Sequence, residues 1–246
     1  MQILNLGCGT KVSDDPAVVN IDWSIMLRIK RNPLLRAAVP VLLKGERLLQ
    51  YQALGDNILV HDLSKGIPFA DGSVDAVYHS HTLEHLDREI TASVFAEIGR
   101  VLKVGGVQRI AVPDLEPLGR AYVAHLDACA SGSGDIREHD ILVASILEQC
   151  VRKEAHGTGQ QRPLRRALEN LLLGDARKRG HTHQWMWDRF NLQAALEAAG
   201  FGEVTVESYQ TSRIADWQKY GLDVDANGAE YKHGSMYVEA VKQPAS

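Results

Sequence analysis

The chain has 246 residues, with 27 basic and 31 acidic side chains and a formal net charge of −4. This length can bury a sizeable core, and no apolar run approaches the roughly 18 residues that a membrane-spanning helix needs. The three cysteines form no C-x-x-C pair, and no signal-peptide pattern precedes the first apolar run. We therefore predict one cytoplasmic domain over residues 1–246, without a membrane span.

The first nine residues are a short apolar run that breaks directly into Gly-x-Gly. Residues 2–6 predict a buried parallel strand, and Gly7 and Gly9 predict a tight turn after it. Because glycine has no Cβ, a ligand can approach the backbone closely at such a turn. In an open α/β sheet, the crevice outside the carboxyl ends of the first strands binds nucleotide-like ligands.

The next apolar runs end in acids. Asp22 ends the run 18–22, where its carboxylate can accept hydrogen bonds from the ribose of an adenosine ligand, and Asp62 ends the run 57–62. A turn at 67–73 leads to a fourth strand that reaches residue 78. An amphipathic helix with a glycine C-cap at 103–106 and a fifth strand at 107–112 follow. The apolar face of this helix comprises Val94, Phe95, Ile98, Val101 and Leu102.

Residues 114–180 predict a helical insertion, with helices at 115–130 and 136–152 and another near 164–172. A helix after Asp188 and two strands, at 203–208 and 235–241, complete the pattern and predict an antiparallel pair at the sheet edge. The segments 24–55 and 152–180 each carry a charge of +5, and their leucines have the spacing of amphipathic helices. They are either solvated helix faces or a wall that favours an anionic acceptor or a membrane surface.

Two histidine-rich segments indicate the position of the catalytic residues. His81, Glu84 and His85 have the spacing i, i+3, i+4 and would share one face of a helix. Downstream, residues 180–187 add His181 and His183. A neutral imidazole with a pKa near 6.5 is suited to removing a proton from an acceptor group.

Taken together, these motifs resemble the class I S-adenosylmethionine-dependent methyltransferases. The matching segments are residues 4–9, 19–22, 68–78, 83–86 (Leu-Glu-His-Leu) and 97–106. The chain is most similar to a bacterial subgroup of small methyltransferases often associated with glycan biosynthesis. The resemblance implies an α/β, Rossmann-like fold: a mostly parallel seven-stranded sheet with an antiparallel C-terminal strand and helical insertions near 24–55 and 114–180.

The sequence departs from the family pattern in the first turn. The usual acid near the end of the first strand is Asn5, and Lys11 stands where the third glycine is expected. Only about nine residues separate Gly9 from the second strand, too few for a crossover helix of ten or more residues with its loops. We therefore predict a loop in place of the first helix.

The resemblance also implies functional residues. S-adenosylmethionine would be held by Asn5, Gly7, Gly9, Asp22, Trp23, His61, Asp62, Leu63, His79 and Ser80. Asp22 would bind the ribose, and His79 and Ser80 would lie beneath the methionine part. From the chemistry of the histidine-rich segments, rather than from the resemblance, we predict His85 as the catalytic base, with His183 as the second choice and Glu84 beside them.

A divalent metal is a second hypothesis for the same segments. Ubiquinone-pathway and small-RNA 2′-O-methyltransferases have a similar Glu-x-x-Glu-His motif and a later histidine that hold a metal. The corresponding ligands here would be His81, Glu84, His85 and His183, a set suited to zinc, iron or manganese. Alternatively, Glu84 and His85 only orient the helix beside the cofactor.

The sequence thus predicts an enzyme that methylates a hydroxyl of a sugar or small metabolite, which could be anionic. Nucleic acid is a less favoured acceptor, and a homodimer is left open. Two alternatives stay open: a non-catalytic cofactor-binding scaffold of the same fold, and an RNA 2′-O-methyltransferase.

Overall fold

The computed structural model describes residues 1–42, 44–149 and 183–244. Within them, seven strands form one sheet in the order β3-β2-β1-β4-β5-β7-β6, and only β7 runs antiparallel to its neighbours. The strands are β1 (Ile3–Leu6), β2 (Val18–Asp22), β3 (Ile58–Val60), β4 (Val74–Ser80), β5 (Leu102–Pro113), β6 (Phe201–Glu207) and β7 (Ser235–Lys242). This sheet confirms the predicted Rossmann-like fold with its antiparallel C-terminal strand.

The helices of the described residues are α1 (Ile25–Arg31), α2 (Pro33–Leu42), α3 (Glu46–Ala53), α4 (Arg88–Val101), α5 (Leu115–Ala130), α6 (Ile136–Gln149) and α7 (Arg189–Ala198). The first three occupy the predicted insertion between β2 and β3, and α5 and α6 form the first part of the insertion after β5. His181 and the helix predicted near 164–172 lie outside the described residues. None of the described helices is both long enough and apolar enough to span a membrane.

The connection from β1 to β2 is a loop, as predicted, and two buried asparagines hold it. Asn5 Nδ2 donates to the Lys11 carbonyl at 2.9 Å and to Asn20 Oδ1 at 3.0 Å. Asn20 Nδ2 donates to the Ser13 carbonyl at 2.9 Å. These bonds satisfy loop carbonyls that a helix would satisfy internally. An aspartate at position 5 could not donate them, because an ionised carboxylate only accepts.

The segment between β6 and β7 covers the sheet face that a helix between β1 and β2 would otherwise cover. It packs four buried side chains, Ile214, Trp217, Tyr220 and Leu222, against Ile3, Val18, Ala76 and Tyr78 of the sheet. A buried ion cluster fixes the same segment. Arg109 of β5 lies 2.8 Å from Asp223 of the segment and 2.7 Å from Glu239 of β7.

One predicted boundary is wrong. Helix α4 does not end in a glycine C-cap, because Leu102 follows Val101 directly in an extended conformation. Leu102 is fully buried and already pairs with Val74, so β5 begins five residues before the predicted position. Gly105, with φ +78°, therefore lies inside the strand.

Candidate active site

The turn after β1 brings Asp22 against the glycine backbone. Gly7 and Gly9 have φ values of +63° and +53°, in the left-handed region that favours glycine. A Cβ on Gly7 would lie 2.8 Å from Thr82 Oγ1. The Gly9 N–H donates to Asp22 Oδ2 and the Trp23 N–H donates to Oδ1, both at 2.5 Å. The acid at the end of β2 thus fixes the turn at the end of β1.

Asp22 keeps the capacity to bind a ligand. Burial raises the pKa of its carboxyl group, and the two backbone N–H donors offset part of this effect. Each carboxylate oxygen has a second lone pair, so Asp22 can accept further hydrogen bonds while it holds the turn.

A cavity of about 200 Å³ opens beside this turn. Of the predicted cofactor residues, Asn5, Gly7, Gly9 and Ser80 line it, together with Cys8, Thr10, Lys11, Tyr78, His81, Tyr231 and Lys232. Lys11 donates to the Val224 carbonyl and lies 4.5 Å from the centre of the Tyr231 ring. Burial lowers the pKa of Lys11. The residue that replaces the third glycine therefore ties the turn to the segment between β6 and β7.

Five other predicted cofactor residues, Asp22, Trp23, His61, Asp62 and Leu63, lie at the ends of β2 and β3. The His61 N–H donates to the Asp22 carbonyl at 3.1 Å, which places the two strand ends side by side. Asp62 Oδ1 caps the short 3₁₀ helix Leu63–Lys65, and its hydrogen bonds with Ser64 lower the pKa of Asp62. Leu63 is half-buried against the main core, and Trp23 is exposed beneath the Arg28 guanidinium.

His79 lies away from the cavity. Its side chain is buried, Nε2 lies 3.1 Å from Gln108 Nε2, and Nδ1 has no hydrogen-bond partner among the described residues. Burial lowers the pKa of His79 to about 4, so this ring is neutral at neutral pH. Alternation along β4 points Tyr78 and Ser80 to the cavity and His79 to the opposite face. Its contact with the cofactor stays a prediction.

The histidines after β4 are not on an α-helix, which corrects that prediction. His81 has φ +48°, and a 3₁₀ turn, Leu83–His85, follows it. Non-glycine residues with such backbone angles cluster at active sites. His81 Nδ1 lies 3.4 Å from Glu84 Oε1, and its Nε2 lies 2.8 Å from the Ser235 hydroxyl. His81 therefore bridges the cavity and Glu84.

The second histidine segment is held against the first by backbone hydrogen bonds. The N–H groups of Gln184 and Trp185 donate to the Glu84 carbonyl at 2.6 and 3.3 Å. As a result, the His85 and His183 rings meet edge to face with 5.1 Å between their centres. Potential ligand atoms of Glu84, His85 and His183 all lie within 4.8 Å of one another. We call these three residues the Glu84 cluster.

Glu84 is a buried carboxylate among histidines. Its side chain is 1% exposed, and neither oxygen has a well-formed hydrogen bond within the described part of the chain. Burial raises its pKa, but the neighbouring His81 and His85 outweigh burial, so the pKa of Glu84 lies below its usual range. Burial lowers the pKa of His183, which Glu84 offsets in part. The cluster thus combines an ionised acid with a neutral imidazole.

Comparison with known proteins assigns the class. Residues 4–110 match the family model described as a methyltransferase domain. None of the curated proteins matches the chain.

Several solved structures are similar to the chain, including the following three. A methyltransferase from Archaeoglobus fulgidus is 14% identical, with coverage of 98% of this chain and 86% of that one and a TM-score of 0.41. One from Methanosarcina mazei is 16% identical, with coverage of 99% and 93% and a TM-score of 0.45. The DhpI–SAH complex is 12% identical, with coverage of 99% and 78% and a TM-score of 0.48. At these identities and TM-scores the three structures say nothing about the acceptor.

Residues 4–110 are thus a methyltransferase domain, which supports the predicted class I S-adenosylmethionine-dependent family and the enzyme class. The match does not single out the predicted bacterial subgroup.

Sequence reasoning missed several residues of the site. Thr82 Oγ1 lies 2.8 Å from where a Cβ on Gly7 would be, and Thr82 stands between two predicted positions, so the spacing of the motif could have suggested it. Tyr231 and Lys232 reach the cavity from a loop more than 200 residues away from the glycine turn, and no local pattern indicates them.

Proposed function

We propose that this protein transfers the methyl group of S-adenosylmethionine to a hydroxyl of a sugar or another small metabolite. The observation that carries the proposal is the position of His81. This residue lines the cavity beside the glycine turn and contacts Glu84, so the proposed cofactor site and the Glu84 cluster would be directly adjacent.

The cofactor would lie along the carboxyl ends of β1 to β4. Gly7, Gly9 and Ser80 would contact its methionine part, and Asp22 would accept hydrogen bonds from its ribose. The cavity is smaller than the roughly 300–1,000 Å³ of most ligand pockets. We infer that it takes only part of the cofactor, and that the adenine extends past Asp22 towards Asp62 and Leu63.

The chemistry assigned to the Glu84 cluster is proton removal. Methyl transfer is a displacement at a carbon that the cofactor already activates, so the protein aligns the acceptor and takes its proton. His85 would be the base, and Glu84, 3.8 Å from its Nε2, would stabilise the imidazolium that forms. His183 is the second candidate, since burial keeps it neutral.

Acceptor selection would involve basic groups. Lys232 lines the cavity, and α1 to α3 carry most of the positive charge of residues 24–55. Positive charge around a cleft raises the local concentration of anionic ligands. Phosphorylated and nucleotide-linked sugars therefore belong first in an acceptor screen.

The test is methyl transfer by purified protein to a panel of sugars, nucleotide sugars, phenolic metabolites and RNA. With the accepted substrate, we expect His85→Gln to lower kcat by about 100-fold or more, the scale of general base catalysis. Its affinity for S-adenosylhomocysteine should stay unchanged. His233→Gln, at an 83% exposed side chain, is the matched control and should keep full activity.

Full activity of His85→Gln would contradict its role as the base. Transfer to RNA alone would favour the 2′-O-methyltransferase alternative. Binding of S-adenosylhomocysteine without transfer to any acceptor would favour the scaffold alternative.

A metal in the Glu84 cluster is the second candidate, favoured by the short distances between its ligand atoms. One carboxylate and two imidazoles suit zinc, iron or manganese. His81 belongs less well to this set, because its Nε2 faces Ser235. If a metal takes part, a chelator should abolish transfer and one of these ions should restore it. Full activity in chelator would exclude this candidate.

A further inference from the structure

A second cluster of metal-binding side chains lies in the helical insertion, where the methyltransferase chemistry has no role for it. His125 and Cys129 are one turn apart on α5, and His139 faces them from α6. Their potential ligand atoms all lie within 4.8 Å of one another, and all three residues are half-buried. We propose that His125, Cys129 and His139 form a zinc-binding site that joins α5 to α6.

The distances fit one tetrahedral ion. Zinc bonds of about 2.0 Å to nitrogen and 2.3 Å to sulfur imply roughly 3.3 Å between two nitrogen ligands and 3.6 Å between nitrogen and sulfur. In the structure, Nδ1 of His125 lies 3.3 Å from Nδ1 of His139. The Cys129 Sγ lies 3.4 Å from the same His125 nitrogen. Small shifts would let all three atoms bind one ion.

The surroundings of His125 support the same assignment. A histidine that binds a metal through one ring nitrogen usually donates the N–H of the other nitrogen to a carboxylate or carbonyl group. With Nδ1 directed to the cluster, Nε2 of His125 lies 3.4 Å from Glu138 Oε2. The His139 ring stacks between His125 and Tyr122, at 5.4 Å from each ring centre, which fixes its orientation.

The donor set determines the class of ion. One thiolate and two imidazoles are softer than the oxygen ligands that magnesium and calcium prefer, and they suit zinc. Three protein ligands leave the fourth position to water. A site that bridges two helices would stabilise the hairpin, and the stabilisation would grow with the logarithm of the free zinc concentration once this exceeds the Kd.

The cysteine allows a test that distinguishes this site from the Glu84 cluster, which contains no sulfur. Cobalt(II) added to the full-length protein under reducing conditions should give a thiolate-to-metal charge-transfer band, and zinc should remove it. Cys129→Ser should lose the band, whereas Cys8→Ser and Cys150→Ser, which keep Cys129, should retain it. Glu138→Gln should weaken zinc binding by about 10- to 100-fold.

Zinc should also raise the melting temperature of the wild-type protein but not that of Cys129→Ser. Absence of the band in folded wild-type protein would overturn the proposal and leave an imidazole–thiol hydrogen-bonded cluster. A band that survives in Cys129→Ser would overturn it as well, because the sulfur ligand would then be another cysteine. Both results are independent of methyl transfer.

Discussion

At the scale of single residues, Asp22 combines a structural role with the proposed binding role. Its two oxygens accept the N–H groups of Gly9 and Trp23, so the carboxylate sets the shape of the turn before any ligand binds. A site with its acceptor already fixed loses less conformational entropy on binding.

We expect Asp22→Ala to weaken binding of S-adenosylhomocysteine by about 1–3 kcal/mol, the scale of hydrogen bonds to a charged group. Calorimetric titration measures the change. Asp56→Ala removes an exposed carboxylate that pairs with Lys30 and is the control, with little expected effect. Unchanged affinity in Asp22→Ala would remove this residue from the binding site.

His79 makes the stability of the protein depend on pH. Burial lowers its pKa to about 4, whereas an unfolded chain has a histidine pKa near 6.5. Above pH 6.5 both states are neutral. Between pH 6.5 and 4 the unfolded state binds the proton and the folded state does not, so the free energy of unfolding decreases as pH falls, by up to about 1.4 kcal/mol per pH unit from this residue.

His79→Gln removes this titration but keeps a polar partner for Gln108. Urea denaturation at pH 7 and pH 5 should show a smaller loss of stability on acidification than in the wild type. Equal losses in the two proteins would show that His79 is not buried in its neutral form.

At the scale of elements, the turn after β1 depends on two glycines for different reasons. An alanine at either position is placed in the left-handed region, which costs about 1–2 kcal/mol. At Gly9 a Cβ would meet no atom within 4 Å, whereas at Gly7 it would come within 2.8 Å of Thr82 Oγ1.

We therefore expect Gly7→Ala to lower the free energy of unfolding more than Gly9→Ala. In a Thr82→Ala background, which removes the two closest side-chain atoms, the difference should shrink. A double-mutant cycle by chemical denaturation measures this coupling. Equal costs for Gly7→Ala in both backgrounds would exclude the contact with Thr82.

At the scale of the whole molecule, the segment between β6 and β7 takes the place of the first crossover helix. Asp223 anchors it, since this buried carboxylate accepts from Arg109, from the Tyr78 hydroxyl at 2.7 Å and from Trp217 Nε1 at 2.6 Å. Removal of one charged side chain from a buried ion cluster leaves the remaining charges buried without a partner of opposite sign.

Asp223→Ala should accordingly lower the free energy of unfolding by about 3–5 kcal/mol. Asp56→Ala, which breaks an exposed ion pair, is the matched control and should change stability little. Denaturant titration of both variants gives the comparison. A small effect at Asp223 would mean that the segment is not anchored through this carboxylate.

Most of the fold could be predicted from sequence, because short buried strands and glycine turns are local patterns. The run 18–22 coincides with β2, and the missing helix was evident from the spacing after Gly9. The ion cluster was not evident, because Arg109 meets Asp223 and Glu239 only through pairing over more than 100 residues.

The histidine-rich part of the candidate site could be located from sequence, but its geometry could not. The spacing of His81, Glu84 and His85 suggested one helical face, yet the positive φ of His81 and a 3₁₀ turn bring the side chains together instead. The resemblance implied that His79 lies near the cofactor, and the sequence did not indicate that its side chain is buried beside Gln108.

The central claim is that the turn at Gly7 and Gly9, together with Asp22, binds the methyl donor. Calorimetric titration with S-adenosylhomocysteine tests it most directly. NAD serves as the control ligand. We expect micromolar binding of S-adenosylhomocysteine with one site per chain, and no heat from NAD. Absence of S-adenosylhomocysteine binding to folded protein would contradict the claim.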